Sequence, residues 1–119
     1  MTALLGHNGA GKTTTLSMLC GLVPPSDGTA CIGGLEISTH MVDIRRRLGV
    51  CPQHDVLWPT LSCTEHLTLY AAFRGTPKAA IAHEAARILS EVGLADKADA
   101  LAGALSGGQR RKLSLAIAL

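Results

Sequence analysis

The chain has 119 residues, of which 47% are hydrophobic and 17% are charged, and its formal net charge is +2. This composition predicts a folded domain with an apolar core, and it excludes an intrinsically disordered chain. The small net charge argues neither for nor against a polyanionic partner. No apolar stretch is long enough to span a bilayer, and we expect no signal peptide.

The first motif is Gly6-His7-Asn8-Gly9-Ala10-Gly11-Lys12-Thr13, which fits the phosphate-binding pattern G-x-x-x-x-G-K-[ST]. The apolar residues before it predict a buried strand over Thr2–Leu5, and a helix is predicted from Lys12 to Cys20. The glycines let the backbone turn tightly with its N–H groups pointing inward, and the helix start adds partial positive charge. Lys12 supplies a charge for the outer phosphates and Thr13 a hydroxyl for Mg²⁺, so the motif predicts a nucleotide site.

Further elements are predicted in the order strand 29–32, strand 35–37, helix 41–48, buried strand end 48–52, helix 63–73 and helix 77–93. Ser62 and Glu65 have the spacing of a capping box at the start of helix 63–73. The basic residues 45–47 are interpreted as a solvated face, because a nucleic-acid surface would need more basic residues and interleaved aromatics. Ser106 and Gln109 form a second capping box, which opens a helix to the end of the chain.

The cysteines and histidines lack the spacing of metal ligands. The four cysteines are therefore predicted to be small buried or half-buried apolar residues: Cys20, Cys31, Cys51 and Cys63. Three of the five histidines, His40, His66 and His83, are predicted on helix or loop surfaces. We expect no metal site other than nucleotide-bound Mg²⁺.

The phosphate-binding motif occurs together with Leu105-Ser106-Gly107-Gly108-Gln109 at a helix start and with Gln53 at a predicted strand end. This combination resembles the nucleotide-binding domain of an ABC transporter. In that family the run Leu105–Gln109 matches the signature motif, and Gln53 matches the Q-loop. The resemblance implies an α/β fold, a P-loop NTPase (ABC ATPase) core with a helical subdomain at about 54–104. The stretches 5–15, 49–54 and 111–114 look like the A subfamily, whose members mostly move lipids.

The resemblance also implies the role of each motif residue. ATP would be bound by the loop residues Gly6, His7, Asn8, Gly9, Ala10, Gly11, Lys12, Thr13 and Thr14. Lys12 and Gln53 would act in catalysis, and Thr13 and Gln53 would hold Mg²⁺. Ser106, Gly107, Gly108 and Gln109 would face the γ-phosphate of an ATP held by a second nucleotide-binding domain, arranged head to tail.

The family places three further catalytic groups in the Walker B strand and the H-loop, and 1–119 contains neither. We therefore expect an incomplete domain from a larger polypeptide, which folds poorly and is inactive as an ATPase when isolated. In the parent protein the resemblance implies ATP hydrolysis coupled to transmembrane domains, at the cytoplasmic face of a membrane and without nucleic acid. Trp58 follows the Q-loop, and it either contacts the membrane domain or packs within the helical subdomain.

A second hypothesis is an ABC-type ATP switch that does not transport, such as the soluble ABC proteins of translation and DNA repair. An Asp-Glu pair after the next strand would favour hydrolysis, whereas loss of the Glu would favour a switch. A small GTPase or a kinase is disfavoured, because neither class accounts for Leu105–Gln109 and no N-K-x-D guanine motif is present.

Overall fold

The computed structural model describes residues 3–119, which divide into two compact units, 3–50 and 51–119. The first unit contains two helices and a hairpin, which are α1 (Lys12–Leu19), β1 (Cys31–Ile32), β2 (Leu35–Glu36) and α2 (Met41–Arg45). The second unit contains α3 (Cys63–Phe73), α4 (Lys78–Glu91) and α5 (Gly107–Ala118), with short 3₁₀ turns at Ala95–Lys97 and Ala102–Ala104. None of the helices in residues 3–119 combines the length and the apolar character needed to cross a bilayer.

The hairpin of the first unit is antiparallel, with Cys31 opposite Glu36 and Ile32 opposite Leu35. Gly33 and Gly34 connect the strands with φ of 57° and 79°. Two consecutive positive φ angles give the turn whose twist matches a two-residue hairpin, and glycine adopts them without strain. The structure thus confirms the two predicted strands, each shorter than expected.

Helix α1 ends in the predicted way and is fixed to α2. Gly21 has a φ of 70°, as expected for the left-handed residue after a helix. A Cβ added there would lie 2.7 Å from the Met41 side chain, so glycine is also needed for close packing. Arg45 donates a hydrogen bond of 2.8 Å to the Gly21 carbonyl. One of the exposed basic residues 45–47 therefore also connects α2 to the end of α1.

Two predicted strands are wrong. Leu4 and Leu5 are 55% and 88% exposed and belong to no strand, and Val50, at 52%, is likewise exposed rather than buried in residues 48–52. A strand is stable only when a neighbour pairs with its backbone, and in residues 3–119 neither run has such a neighbour. Thr2, the first residue of the predicted strand, lies outside the described residues.

The three helices of the second unit share one apolar core. Its members are buried residues from all three helices and from the segment between α4 and α5: Cys63, Leu67, Ala85, Ile88, Leu89, Leu94, Ala102, Leu105, Leu113 and Ala116. On α4 the buried positions recur at the spacing of one helical face, and on α5 Leu113 and Ala116 are buried at the same kind of spacing. This core fixes where the start of α5 lies relative to α3.

Local signals define the helix ends of the second unit. Both predicted capping boxes are present, with Ser62 and Glu65 at α3 and Ser106 and Gln109 at α5. Gly75 and Gly93 follow α3 and α4 with positive φ. Pro77 is the residue before α4 and not its first helical residue, a one-position difference from the prediction.

His66 and Cys31 are placed differently from the prediction. His66 is fully buried, and both of its ring nitrogens contact backbone groups. Its Nδ1 lies 2.8 Å from the Ser62 carbonyl oxygen, and its Nε2 accepts a 3.0 Å hydrogen bond from the Trp58 N–H. A neutral ring protonated at Nδ1 satisfies both groups. Cys31 is exposed, because in the described residues no element packs over this side chain of the two-residue strand to bury it. Cys63 is buried as predicted, and this burial raises the pKa of its thiol.

We predict that the α3 capping box makes stability depend on acid pH. The Ser62 N–H donates to the Glu65 carboxylate at 2.7 Å, and this bond lowers the Glu65 pKa from its ordinary 4.5. A lowered pKa stabilises the folded chain above pH 4.5, and this contribution is lost as the pH falls through the folded value. Glu65→Gln keeps an acceptor but does not titrate, so its unfolding midpoint should fall less than the wild type's between about pH 5 and pH 3. Urea unfolding of the domain measures this, and parallel losses in both proteins would contradict it.

Candidate nucleotide site

The phosphate loop of the first unit, residues 6–13, is open and almost entirely exposed. Gly9 and Gly11 have φ of 86° and 83°, a region that other residues rarely adopt. A Cβ added at either position would meet nothing within 4 Å, whereas one at Gly6 would lie 3.0 Å from the Ala10 Cβ. The loop is therefore tightly turned at its start and leaves free space along its outer edge.

Lys12 is held over this loop by the loop's own backbone. Its Nζ donates to the carbonyl oxygens of Gly6 and His7 at 2.7 and 2.8 Å. An ammonium group has three N–H donors, so two carbonyls fix its position and leave one donor for a phosphate oxygen. The geometry therefore fits a positively charged contact for an anion in the loop.

The start of α1 lies at the same place. Gly11 is the residue before the helix, and no side chain caps the first-turn N–H groups. These groups have no partner inside a helix, and together with the helix dipole they favour an anion. Thr13 and Thr14 are exposed on this first turn, so the Thr13 hydroxyl is accessible to a cation held by phosphates.

The start of α5 in the second unit has a different construction. Ser106 Oγ accepts the N–H of Gln109 at 3.3 Å, and Gln109 Oε1 accepts the N–H of Ser106 at 2.9 Å. The Gln109 side chain is therefore used to cap its own helix, which leaves the first-turn N–H groups of Gly107 and Gly108 as those that face outward.

Gly107 and Gly108 have no structural reason to be glycine within the described chain. Their φ angles are not positive, and a Cβ on either would meet nothing within 4 Å. Glycine in a helix costs about 0.5–1 kcal/mol relative to alanine. Neither strain nor crowding within the described chain explains these two glycines, and the exposed helix start leaves space beside both of them.

Gln53 lies in an exposed segment without regular structure, and α5 holds that segment. Arg111 donates to the carbonyls of Pro52 and Gln53, and its Nη1 lies 3.6 Å from Asp55 Oδ1. Ser114 donates to the same carboxylate oxygen at 3.0 Å. A cluster of Asp55, Arg111 and Ser114 was not predicted from the sequence. The i,i+3 spacing of the last two on a predicted helix was the signal that could have found them.

Trp58 packs within the second unit and is also partly exposed. Its ring packs at 5.8 Å from His66 and 6.1 Å from Tyr70, measured between ring centroids. The residue is nevertheless 44% exposed, so one part is packed on α3 while the other is available to a partner.

The structure therefore groups the predicted site residues in two places. The loop residues 6–14 surround the start of α1 in the first unit. Gln53 and the residues 106–109 belong to the second unit, where the core and Arg111 connect them through α5.

Comparison with known proteins identifies the family of the chain. A protein-family model described as ABC transporter matches residues 1–119. The phospholipid-transporting ATPase ABCA3 of Homo sapiens is 55% identical over 119 residues, which are 100% of this chain and 7% of that protein. The ATP-binding cassette sub-family A member 7 of Mus musculus is 52% identical over 118 residues, which are 99% of this chain and 6% of that protein.

A solved structure of an ATP-binding subunit of an ABC transporter has a TM-score of 0.74 and 30% identity. It is matched by 96% of this chain, which covers 48% of the solved chain. The predicted P-loop fold class and the resemblance to the A subfamily are thereby confirmed. With its full length matched by the family model, this chain belongs to the ABC transporter family as part of an ATP-binding domain.

Proposed function

We propose that this chain binds ATP and supplies part of the machinery that hydrolyses it, within a longer membrane transporter. The observation that carries the proposal is the pair of exposed, glycine-lined helix starts, at Gly11 and at Gly107–Gly108. Each presents backbone N–H groups and the positive end of a helix dipole, which is the arrangement that binds phosphate groups. Each helix start is therefore suited to the phosphate groups of a nucleotide.

Lys12 and Gln53 have complementary roles in this proposal. Lys12 neutralises negative charge on the outer phosphates, where charge develops during phosphoryl transfer. Thr13 and the Gln53 side chain would hold Mg²⁺, which when bound neutralises further phosphate charge. The Gln53 amide would also orient the attacking water. The exposed Thr13 hydroxyl and the exposed Gln53 support this assignment.

The segment Ser106–Gln109 would face the ATP held by a second domain, with the N–H groups of Gly107 and Gly108 turned to the phosphate and the Ser106–Gln109 capping box holding the helix start. The free space around both glycines lets a phosphate approach the N–H groups directly. Two such domains arranged head to tail would enclose two ATP molecules, each held by the loop of one domain and the α5 start of the other. Closure on ATP and reopening after hydrolysis would then move attached transmembrane domains, with this domain at the cytoplasmic face of the membrane.

The cargo that this proposal favours is a lipid. The human relative is named a phospholipid-transporting ATPase, and its 55% identity extends over the whole chain. The partly exposed Trp58 is suited to receive a segment of the membrane domain close to Gln53. The second candidate, a non-transporting ATP switch, predicts nucleotide binding without any response to lipid.

The test measures phosphate release by the full-length protein reconstituted in phosphatidylcholine vesicles. We expect Mg²⁺ removal with EDTA to lower the rate at least about 100-fold, because the phosphate charge is then not neutralised. We also expect the rate in vesicles to exceed the rate in lipid-free detergent at least about twofold. ATP binding with no hydrolysis in either medium would favour the switch, and hydrolysis insensitive to EDTA would contradict the proposed metal role.

A further inference from the structure

The segment 52–55 has neither helix nor strand, yet side chains of α5 fix its backbone. The Arg111 guanidinium donates to two successive carbonyl groups, those of Pro52 and Gln53. Backbone carbonyls outside regular structure need other donors, and a charged donor makes a stronger hydrogen bond than a neutral one. A single side chain of α5 thus donates hydrogen bonds to this segment, as the backbone of a neighbouring strand would in a sheet.

The carboxylate of Asp55 forms an ion pair with this guanidinium. Its Oδ1 lies 3.6 Å from Arg111 Nη1 and also accepts a 3.0 Å hydrogen bond from Ser114 Oγ. Ser114 is buried, at 5% exposure, so its hydroxyl is fixed by the core. Arg111 and Ser114 are three residues apart on one face of α5 and contact the same carboxylate. These three residues, called here the Asp55–Arg111–Ser114 cluster, are joined through the Asp55 carboxylate.

The cluster leaves the Gln53 side chain free while its backbone is held. That side chain makes no hydrogen bond within the described chain, whereas the carbonyls of Pro52 and Gln53 and the side chain of Asp55 are all bonded to α5. Fixing the backbone on both sides of Gln53 restricts where its amide can reach. The same helix begins at Gly107, about one turn before Arg111.

We propose that Arg111 is a positioning residue for Gln53, and that the Asp55–Arg111–Ser114 cluster makes the Gln53 segment and the start of α5 move as one body. The inference rests on the catalytic role of Gln53 in the proposed function. A displacement of the Gln53 segment or of the α5 start would then be transmitted to the other through the Arg111 guanidinium and the Asp55 carboxylate. Motion received near Trp58 would then reach both the water-orienting amide and the phosphate-binding helix start.

The experiment uses the full-length protein and azido-ATP in two measurements. Photolabelling on ice without vanadate reports binding to this domain, and the initial rate of vanadate-dependent trapping reports its hydrolysis. The variants are Gln53→Ala, Arg111→Gln and the double variant, with Lys112→Gln as the matched control. Lys112 is the neighbouring exposed cation on α5, and in the part of the chain that the structure describes it makes no hydrogen bond to residues 52–55.

We expect Arg111→Gln to lower the trapping rate about five- to tenfold while photolabelling stays within about twofold, because only orientation is lost. In the Gln53→Ala background it should have less than about a twofold further effect, since a residue that acts through Gln53 has nothing left to position. Lys112→Gln should stay within about twofold of wild type. An additive loss in the double variant, or an unchanged trapping rate in Arg111→Gln, overturns the inference.

The proposed function is tested separately by the Gln53→Ala arm. If Gln53→Ala lowers trapping and Arg111→Gln does not, the function stands and the inference falls. If Gln53→Ala has no effect, the role of Gln53 falls and the inference with it. Should Arg111→Gln also lose photolabelling, Ser114→Ala removes a single bond of the same cluster. It should then lower trapping about two- to threefold with intact labelling, and no loss there overturns the inference.

Discussion

Replacing Lys12 with alanine in the full-length protein is expected to lower vanadate-dependent trapping on this domain about 100- to 1,000-fold. Lys12 Nζ is fixed over the loop by the Gly6 and His7 carbonyls, so its charge is in place before ATP arrives. A charge that needs no reorganisation during reaction is worth about 3–4 kcal/mol in phosphoryl and acyl transfer, which corresponds to that loss. The loop backbone and the start of α1 remain, so we expect photolabelling to weaken less than trapping.

The control for this prediction is Lys78→Ala. Lys78 is also the first residue of a helix and is exposed, but Pro77 precedes it and no glycine-rich phosphate-binding motif does. Its removal should leave trapping within about twofold of the wild type. Equal losses in both variants would mean that the effect comes from net charge or folding. Such a result would contradict a catalytic role for Lys12.

The elements that could be predicted from the sequence are those whose signals are local. Helix α3 was predicted at its observed bounds, because the Ser62–Glu65 capping box and Gly75 determine its ends within a few residues. The phosphate loop and the Ser106–Gln109 start were identified for the same reason. Each is a short segment whose conformation and chemistry are set by its own residue types.

The wrong predictions involve partners distant in sequence. Leu4, Leu5 and Val50 have the apolar character of buried strands, but pattern alone does not state whether a pairing strand is present. His66 was placed on the surface because a polar ring in a helix is usually solvated, and only the fold brings the Trp58 N–H to its Nε2. Contacts of this kind depend on tertiary structure and leave no periodic signal.

The same limit explains why the site was only partly predicted. Gln53 and the α5 start were recognised as separate motifs. The contact that joins them runs from the Arg111 guanidinium to the carbonyls of Pro52 and Gln53, which lie nearly sixty residues earlier in the sequence. The free space at Gly107 and Gly108 is also invisible in the sequence. A glycine pair in a motif has the same letters whether it serves a turn, close packing or an external ligand.

That free space leads to the prediction that most directly tests the head-to-tail arrangement. Gly108→Val is expected to leave the stability of the domain unchanged or slightly raised, because the added side chain meets no atom within 4 Å of its Cβ and valine has a higher helix propensity than glycine. The same side chain would hold a phosphate more than about 1 Å away from the Gly107 and Gly108 N–H groups, and displacement on this scale costs on the order of 100-fold in rate.

The loss should appear on the other nucleotide-binding domain. In a head-to-tail pair the α5 start of this chain faces the ATP held by its partner, so Gly108→Val should abolish vanadate trapping on the partner while photolabelling through this chain's own Lys12 loop persists. Lys12→Ala should give the opposite pattern, with trapping lost on this domain. Ala79→Val is the matched control, since Ala79 occupies the second position of α4, is exposed and should tolerate the change. Proteolysis after labelling assigns the signal to each domain. Unchanged trapping on the partner in Gly108→Val, or a loss confined to this domain, would exclude the shared site, because the glycines would then serve only their own chain.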